Sequence, residues 1–325
     1  MDRAEFLTLI DVANQRGLEI GALNRPIITR AMGPVEYIDR ASRADLAAWY
    51  ADPIHNIDPA DLVEVDHIWG EQSLLECVGG QRVYDYLITS HVIEHVPDVF
   101  GWLGEIASVL KDGGLGLFVV PDKRFTFDQD RRPSVSGDFV DAYVRRLRRP
   151  DTRQIFNHYH DTRHIGATPP DDAEATRLAR ELLDMCRRVE ASGEYIDSHC
   201  WVFTPRTMLQ ALDLANRMGV LPFEIAALSA TEPGTIEFFL ALRRLPDSLD
   251  AQAQRAAFVA SRDALVLPEE AEVAATPDPD LTRAEALTRE AEAALARAQA
   301  IENSTIWRLT APLRRLIDLT RGRAA

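Results

Sequence analysis

Between residues 17 and 122 short apolar runs alternate with helical stretches, and this alternation limits the fold more than any other feature of the chain. Strands are predicted at Leu18 to Ile20, Val35 to Ile38, Leu62 to Val65, Tyr84 to Thr89 and Leu115 to Val120, with a helix from Val99 to Leu110 between the last two. Lys111-Asp112-Gly113-Gly114 reads as the stop of that helix, a cation followed by glycine. Strands that alternate with helices pack as a parallel sheet covered on its faces. The spacing of Phe6, Leu9, Ile10 and Ala13 predicts a further helix over residues 2 to 16, ended by Gly17.

Beyond Phe125 the pattern changes. An Arg- and Asp-rich stretch to about Ser198 reads as an insertion or lid, with a helix from about Asp171 to Glu190 whose apolar face carries Leu178, Leu182, Leu183 and Met185. Thr204-Pro205 opens a helix through Met218. Two strands, Leu221 to Leu228 and Thr235 to Leu242, flank the turn Thr231-Glu232-Pro233-Gly234 and predict an antiparallel hairpin closing the sheet. The main domain is therefore set at 1–245, with the insertion at about 125–198. A helix and an acidic, Pro-rich linker follow at 246–281, and a helical tail at 282–325. In the tail, Ala284, Leu287, Ala291, Ala294, Ala298 and Ile301 make a weak coiled-coil stripe.

Composition serves mainly to exclude. A formal net charge of −15 argues against a broad nucleic-acid surface, because phosphate binding rests on Lys and Arg. Basic character is local, at Arg145-Arg146-Leu147-Arg148-Arg149 and in the last residues of the tail. Cys77, Cys186 and Cys200 are odd in number and have no C-x-x-C spacing, so a reducing, cytoplasmic setting is expected. No apolar run is long enough to span a bilayer.

Gly17-Leu18-Glu19-Ile20-Gly21 places E-x-G at a strand end, where free backbone N–H groups leave room for a ligand. Asp39, about 20 residues on, suits ribose hydroxyls. Leu23 and Pro26 break the dinucleotide fingerprint, so a nucleoside without a pyrophosphate fits better. The segment His91-Val92-Ile93-Glu94-His95 spells the H-x-x-E-H of a zinc hydrolase. That chemistry needs both histidines on one established helix, whereas His91 follows a strand directly and Pro97 comes two residues after His95. Helix onset near Pro97, with Asp98 in its first turn, is expected instead, and no metal is assigned. The cluster Asn157 to His164 carries the densest set of ionisable groups. His158 and His160 there, and His199 further on, are candidate bases for a hydroxyl acceptor, although a polar loop or a divalent-ion site would use the same residues.

Taken together, GLEIGALNRP, VEYIDRAS, YDYLITSHVIEHV, IASVLKDGG and VVPD resemble a class I S-adenosylmethionine-dependent methyltransferase of the small-molecule branch. The resemblance covers residues 17 to 122, and Cys200 to Pro205 with the final hairpin more loosely. It implies a Rossmann-like, mostly parallel seven-stranded α/β sheet with a C-terminal antiparallel hairpin, and S-adenosylmethionine as cofactor. Glu19, Gly21 and Ala22 would lie at the methionine end, Asp39 at the ribose, Asp66 by the adenine after the third strand, and Ser90 and His91 close to the methyl group. His95 and Asp122 would face the acceptor. Leu23 stands where the family has a second loop glycine. The position after the fourth strand, Thr89-Ser90-His91-Val92, departs from the N/D-P-P-Y/F of base-methylating enzymes.

The tail from Asn303 to Leu316 resembles segments of bacterial surface-polysaccharide enzymes. The implied acceptor is a sugar or glycan hydroxyl, with polysaccharide-assembly proteins or the inner membrane surface as partners of the tail. Self-association is left open. A non-catalytic scaffold that retains the fold is the main rival, and a zinc hydrolase through His91, Glu94 and His95 a minor one.

Overall fold

The computed structural model describes residues 1–52, 57–70, 72–162 and 170–267. The acidic linker, the coiled-coil stripe, the basic tail, Arg163 and His164 lie outside the described residues.

Seven strands form one sheet in the order β3-β2-β1-β4-β5-β7-β6. They are β1 (Gly17–Ile20), β2 (Val35–Asp39), β3 (His67–Ile68), β4 (Tyr84–Ser90), β5 (Leu110–Pro121), β6 (Phe223–Leu228) and β7 (Glu237–Arg244). β1 to β5 run parallel, while β7 pairs antiparallel with both β5 and β6, so the predicted hairpin is present as β6 and β7. The nine helices named for the described residues are α1 (Arg3–Leu7), α2 (Arg43–Trp49), α3 (Leu74–Cys77), α4 (Val99–Val109), α5 (Ser136–Arg145), α6 (Thr152–Asp161), α7 (Asp172–Ser192), α8 (Pro205–Arg217) and α9 (Ala251–Asp263).

The strands bury both faces, as a parallel sheet demands. Along β4, Leu87 joins a core with Phe100, Ile106, Trp201 and Phe223, while Tyr86 and Ile88 join a second core with Phe6, Tyr37 and Phe239. Gly17 is fixed by this packing, since a Cβ there would stand 2.0 Å from the Tyr86 ring. β1 is flanked by β2 and β4, and here the strand order reverses, opening a crevice at the carboxyl ends.

Four expectations change. The N-terminal helix stops at Leu7, because Asp11, Asn14 and Gln15 bond with one another and with local backbone instead of propagating it. Phe6 and Ile10 are buried nonetheless. The third strand is His67–Ile68 and not Leu62 to Val65; Leu62 instead joins a satellite core with Leu23, Leu46 and Tyr50. Lys111 to Gly114 belongs to β5: Leu110 already pairs with Tyr84, and the register jumps to Leu115 opposite Tyr86 around Gly113 at φ +78°. On α7 the buried stripe is Leu182, Cys186 and Val189, facing Ile155, while Leu183 is exposed.

Candidate active site

A cleft of about 1,100 Å³ opens over the carboxyl ends of β1, β2 and β4. Each strand end delivers residues to its lining. β1 ends in Glu19 and Ile20, and the chain then turns at Gly21, φ +72°, where a Cβ would approach Val92 Cγ2 to 2.9 Å. β2 ends in Asp39, and the residues that follow β3 are Trp69 and Gly70. β4 ends in Ser90, after which His91 takes φ +53° and donates its backbone N–H to Val119 O at 3.0 Å, so the chain leaves the sheet sharply.

Glu19, Gly21, Ala22, Asp39, Ser90, His91 and His95 all line this cleft. Glu19 does so as a fastener. Its carboxylate accepts the N–H groups of Ile27 at 2.7 Å and Ile28 at 3.0 Å, pinning the loop that follows Leu23. Burial raises its pKa to about 7 against those two bonds. Asp39 accepts the N–H of Arg40 at 2.7 Å, and burial raises its pKa as well.

The opposite wall comes from the insertion. Tyr143 and Arg146 at the end of α5, and Tyr195 and Asp197 after α7, face the cleft. Arg40 lies over the rings of Trp49, at 3.8 Å, and Tyr195, at 4.8 Å, and so joins the two walls. His95 meets Asp197 at 2.9 Å. Burial lowers the His95 pKa, but the charge and hydrogen bond of Asp197 and the charge of Glu94 outweigh it and push it up to about 9. His91 bonds Glu237 on β7 at 2.8 Å, and Glu237 also takes Arg3 at 3.0 Å. Here too burial lowers the imidazole pKa and the Glu237 bond raises it further, leaving it above the ordinary value.

The H-x-x-E-H segment is not helical in the manner of a zinc hydrolase. Ile93 to His95 form a single 3-10 turn, Asp98 caps α4 by accepting the N–H of Gly101 at 2.9 Å, and His91 and His95 turn to different carboxylates.

Five expected site residues stand elsewhere. Asp66 precedes β3, where it accepts from the N–H of Tyr37 and from Arg30, both at 2.7 Å; it holds the edge strand and is absent from the cleft lining. Asp122, fully buried, accepts from Thr231 at 2.7 Å and pairs with Arg124 at 2.6 Å, so it locks the end of β5 to the hairpin turn. His158 is buried beside Phe127 and Tyr159 and accepts the backbone N–H of His199 through Nδ1 at 3.2 Å. Burial and the neighbouring His199 depress its pKa. His160 is half-exposed, bonded to Asp161 at 2.6 Å and stacked on Phe156. His199 is buried and bonded through Nδ1 to Asp128. None of these three histidines lines the cleft.

The residues that the sequence did not reveal are Glu237, Asp197, Tyr195 and Trp69. His91 and Glu237 are 146 positions apart, and His95 and Asp197 are 102 apart. The only local signal was the run Glu194-Tyr195-Ile196-Asp197-Ser198-His199, which crowds polar groups before a buried Cys-Trp pair.

Residues 2–216 match a family model described as a methyltransferase domain. No match to a curated protein was found. Among solved structures, a SAM-dependent methyltransferase from Methanosarcina mazei is similar at 16% identity, over 75% of this chain and 98% of that one, with a TM-score of 0.38. A putative one from Listeria monocytogenes is similar at 15% identity, over 75% and 97%, with a TM-score of 0.39. The magnesium protoporphyrin IX methyltransferase from Synechocystis, solved with bound SAH, is similar at 11% identity, over 74% and 80%, with a TM-score of 0.34.

Proposed function

The chain belongs to the methyltransferase-domain family, whose methyl donor is S-adenosylmethionine, and we propose that it methylates a hydroxyl of a small sugar or glycan acceptor. The observation that carries this reading is the two-sided cleft. Its floor is the strand-end set Glu19, Gly21, Asp39 and Ser90, and its far wall is the polar set His95, Arg146, Tyr195 and Asp197. At about 1,100 Å³ it exceeds the roughly 300–1,000 Å³ usual for one ligand, which suits a donor and an acceptor side by side.

The donor supplies an activated methyl group when bound. The chain's own task is alignment and proton removal. Asp39 would hold the ribose hydroxyls of the bound donor, while Glu19 keeps the loop over residues 24–28 in place through its two backbone bonds. Donors and acceptors on the far wall are of the kind that bind several hydroxyls of one polyol. His158, His160 and His199 lie off the cleft, and of the two histidines that line it His91 follows the end of β4; with its pKa raised by Glu237, it would take the acceptor proton only from its neutral form, so transfer should quicken as pH rises. The tail outside the described residues would serve polysaccharide-assembly proteins or an anionic membrane surface. Among the described residues no helix is long and apolar enough to cross a membrane.

Calorimetry with S-adenosylmethionine and S-adenosylhomocysteine tests the donor half, and radiolabelled methyl transfer to a panel of mono- and oligosaccharides tests the acceptor half. Micromolar donor binding with transfer to at least one saccharide hydroxyl is expected. Donor binding with methylation confined to acceptors that are not sugars would overturn the acceptor class. Absence of donor binding by folded protein would overturn the pocket.

A further inference from the structure

Behind the wall that carries His95, three donor atoms face one another. Glu94 is 1% exposed, and neither of its carboxylate oxygens has a hydrogen-bond partner among the described residues. His199, also 1% exposed, has an Nε2 in the same condition. His95 Nε2 stands 3.8 Å from Glu94 Oε1. Glu94, His95 and His199 each offer one such atom, and all three lie within 4.8 Å of one another.

Both imidazoles are oriented from behind. Asp197 holds His95 at Nδ1 and Asp128 holds His199 at Nδ1. A carboxylate on one ring nitrogen fixes the tautomer and presents the other nitrogen as a ligand, the arrangement that supports metal-binding histidines. The two segments are also fastened together by backbone: the N–H groups of Cys200 and Trp201 both donate to Glu94 O, at 2.7 and 3.2 Å, and Trp201 Nε1 donates to Val96 O at 2.6 Å. The donors therefore stand assembled before any ligand arrives.

We propose that Glu94, His95 and His199 bind a zinc-class divalent cation through one carboxylate oxygen and two Nε2 atoms. Ligand bonds of about 2.0–2.2 Å set neighbouring tetrahedral donors about 3.4 Å apart. The observed 3.8 Å between His95 Nε2 and Glu94 Oε1 closes with a small side-chain shift. Two imidazoles and one carboxylate suit Zn²⁺ or Fe²⁺ over Mg²⁺ or Ca²⁺, which take oxygen ligands. A cation also answers the need of the buried carboxylate, whose two nearest ring nitrogens, on His91 and His95, are each 3.8 Å away and beyond hydrogen-bond reach. The neighbouring group of Asp128, His158 and His199 is not a competitor. The carboxylate of Asp128 is taken by Arg131 and His199 Nδ1, and His158 Nδ1 accepts a backbone N–H. His91 Nδ1 also stands 3.8 Å from Glu94, but His91 is not among the three residues whose donor atoms all converge within 4.8 Å, so the site differs from a helical H-x-x-E-H centre. Its place is structural and adjacent to the cleft: it ties the turn after β4 to the 195–201 segment on the acceptor side.

The test uses untagged full-length protein, stripped with chelator and titrated with Zn²⁺ by calorimetry, without methyl donor, so that its outcome is separate from that of the methyl-transfer reading. One equivalent bound at micromolar affinity or tighter is expected. Glu94→Gln and His199→Ala should weaken binding at least a hundredfold, and Asp197→Asn about tenfold, while His160→Ala, exposed on α6, binds as wild type. Co²⁺ in the wild-type protein gives a second readout that no variant's folding affects, an intense visible band of four- or five-coordinate geometry. No binding by folded wild type, equal binding by all variants, or only a weak octahedral Co²⁺ spectrum would overturn the site.

Discussion

The floor of the cleft and the nest of histidines behind its far wall use the same residue types to opposite ends. Floor residues sit at strand ends, and each is placed by a local rule: a strand stops, a glycine turns, a carboxylate is left at the edge. Nest residues come from three segments far apart in the chain, and most of their polar atoms are engaged with one another. Asp128 is shared by Arg131 and His199, while His158 receives the backbone of His199. Loss of a floor residue should therefore weaken a ligand, and loss of a nest residue should weaken the fold.

Asp128→Ala tests that contrast most severely. It leaves the guanidinium of Arg131, 5% exposed, without its carboxylate in the interior. Breaking a buried pair from one side costs about 3–5 kcal/mol. The urea midpoint should drop accordingly, while donor affinity at a temperature where the variant is folded stays within about threefold. Asp39→Ala should behave in the opposite sense. Hydrogen bonds from ribose hydroxyls to a carboxylate are worth about 2 kcal/mol, so donor affinity should fall roughly 30-fold by calorimetry with the melting temperature nearly unchanged. If Asp39→Ala proves as destabilising as Asp128→Ala, the division between the two regions fails.

The same division explains what could be read before the structure. That Glu19, Gly21, Asp39, Ser90 and His91 line one cleft was legible because strand register carries them to one edge. Asp66 was misplaced because the third strand has only two residues and begins after it, so an apolar run at Leu62 to Val65 imitated the strand while packing a satellite core. His158 and His199 looked like bases because histidine-rich segments read alike whether they face a ligand or each other. Only the packing of α6 against the 195–201 segment, with Asp128 between, separates the two cases. Glu237 could not be anticipated, since it reaches His91 only through the antiparallel pairing of β5 and β7.

A pH series sharpens the comparison from the floor side. Burial raises the Glu19 pKa from 4.5 to about 7, so between those values the folded chain holds a proton that the unfolded chain has released. Glu19 therefore favours the folded state most below pH 4.5, and that contribution is lost as pH rises through about 7. Over roughly 2.5 pH units the ceiling is about 3 kcal/mol, and about 1–2 kcal/mol is expected once chain relaxation is allowed for. Glu19→Gln does not titrate. The melting temperature of wild type relative to Glu19→Gln should be highest near pH 5 and should decline by pH 8; a constant difference would show that the carboxylate stays ionised throughout.

The smallest effect falls at Leu23, where floor and core meet. Its backbone lies in the left-handed region at φ +50°, while its side chain packs with Leu46, Tyr50 and Leu62. A left-handed residue with a Cβ costs roughly 1–2 kcal/mol, and truncating a buried leucine costs about 2–5 kcal/mol, near the low end for a satellite cluster beside an open cleft. Packing outweighs strain, so both truncations should destabilise. They should not do so equally. Leu23→Ala loses the packing and keeps the strain, whereas Leu23→Gly loses the packing and sheds the strain, so the glycine variant should be the more stable by about 1 kcal/mol. That order is the reverse of what alanine and glycine show at an ordinary helical position, and chemical denaturation of the two variants reads it directly. If the alanine variant is the more stable, the loop between Gly21 and the Ile27–Ile28 anchor does not hold Leu23 left-handed, and the turn beside the cleft is set by Gly21 alone.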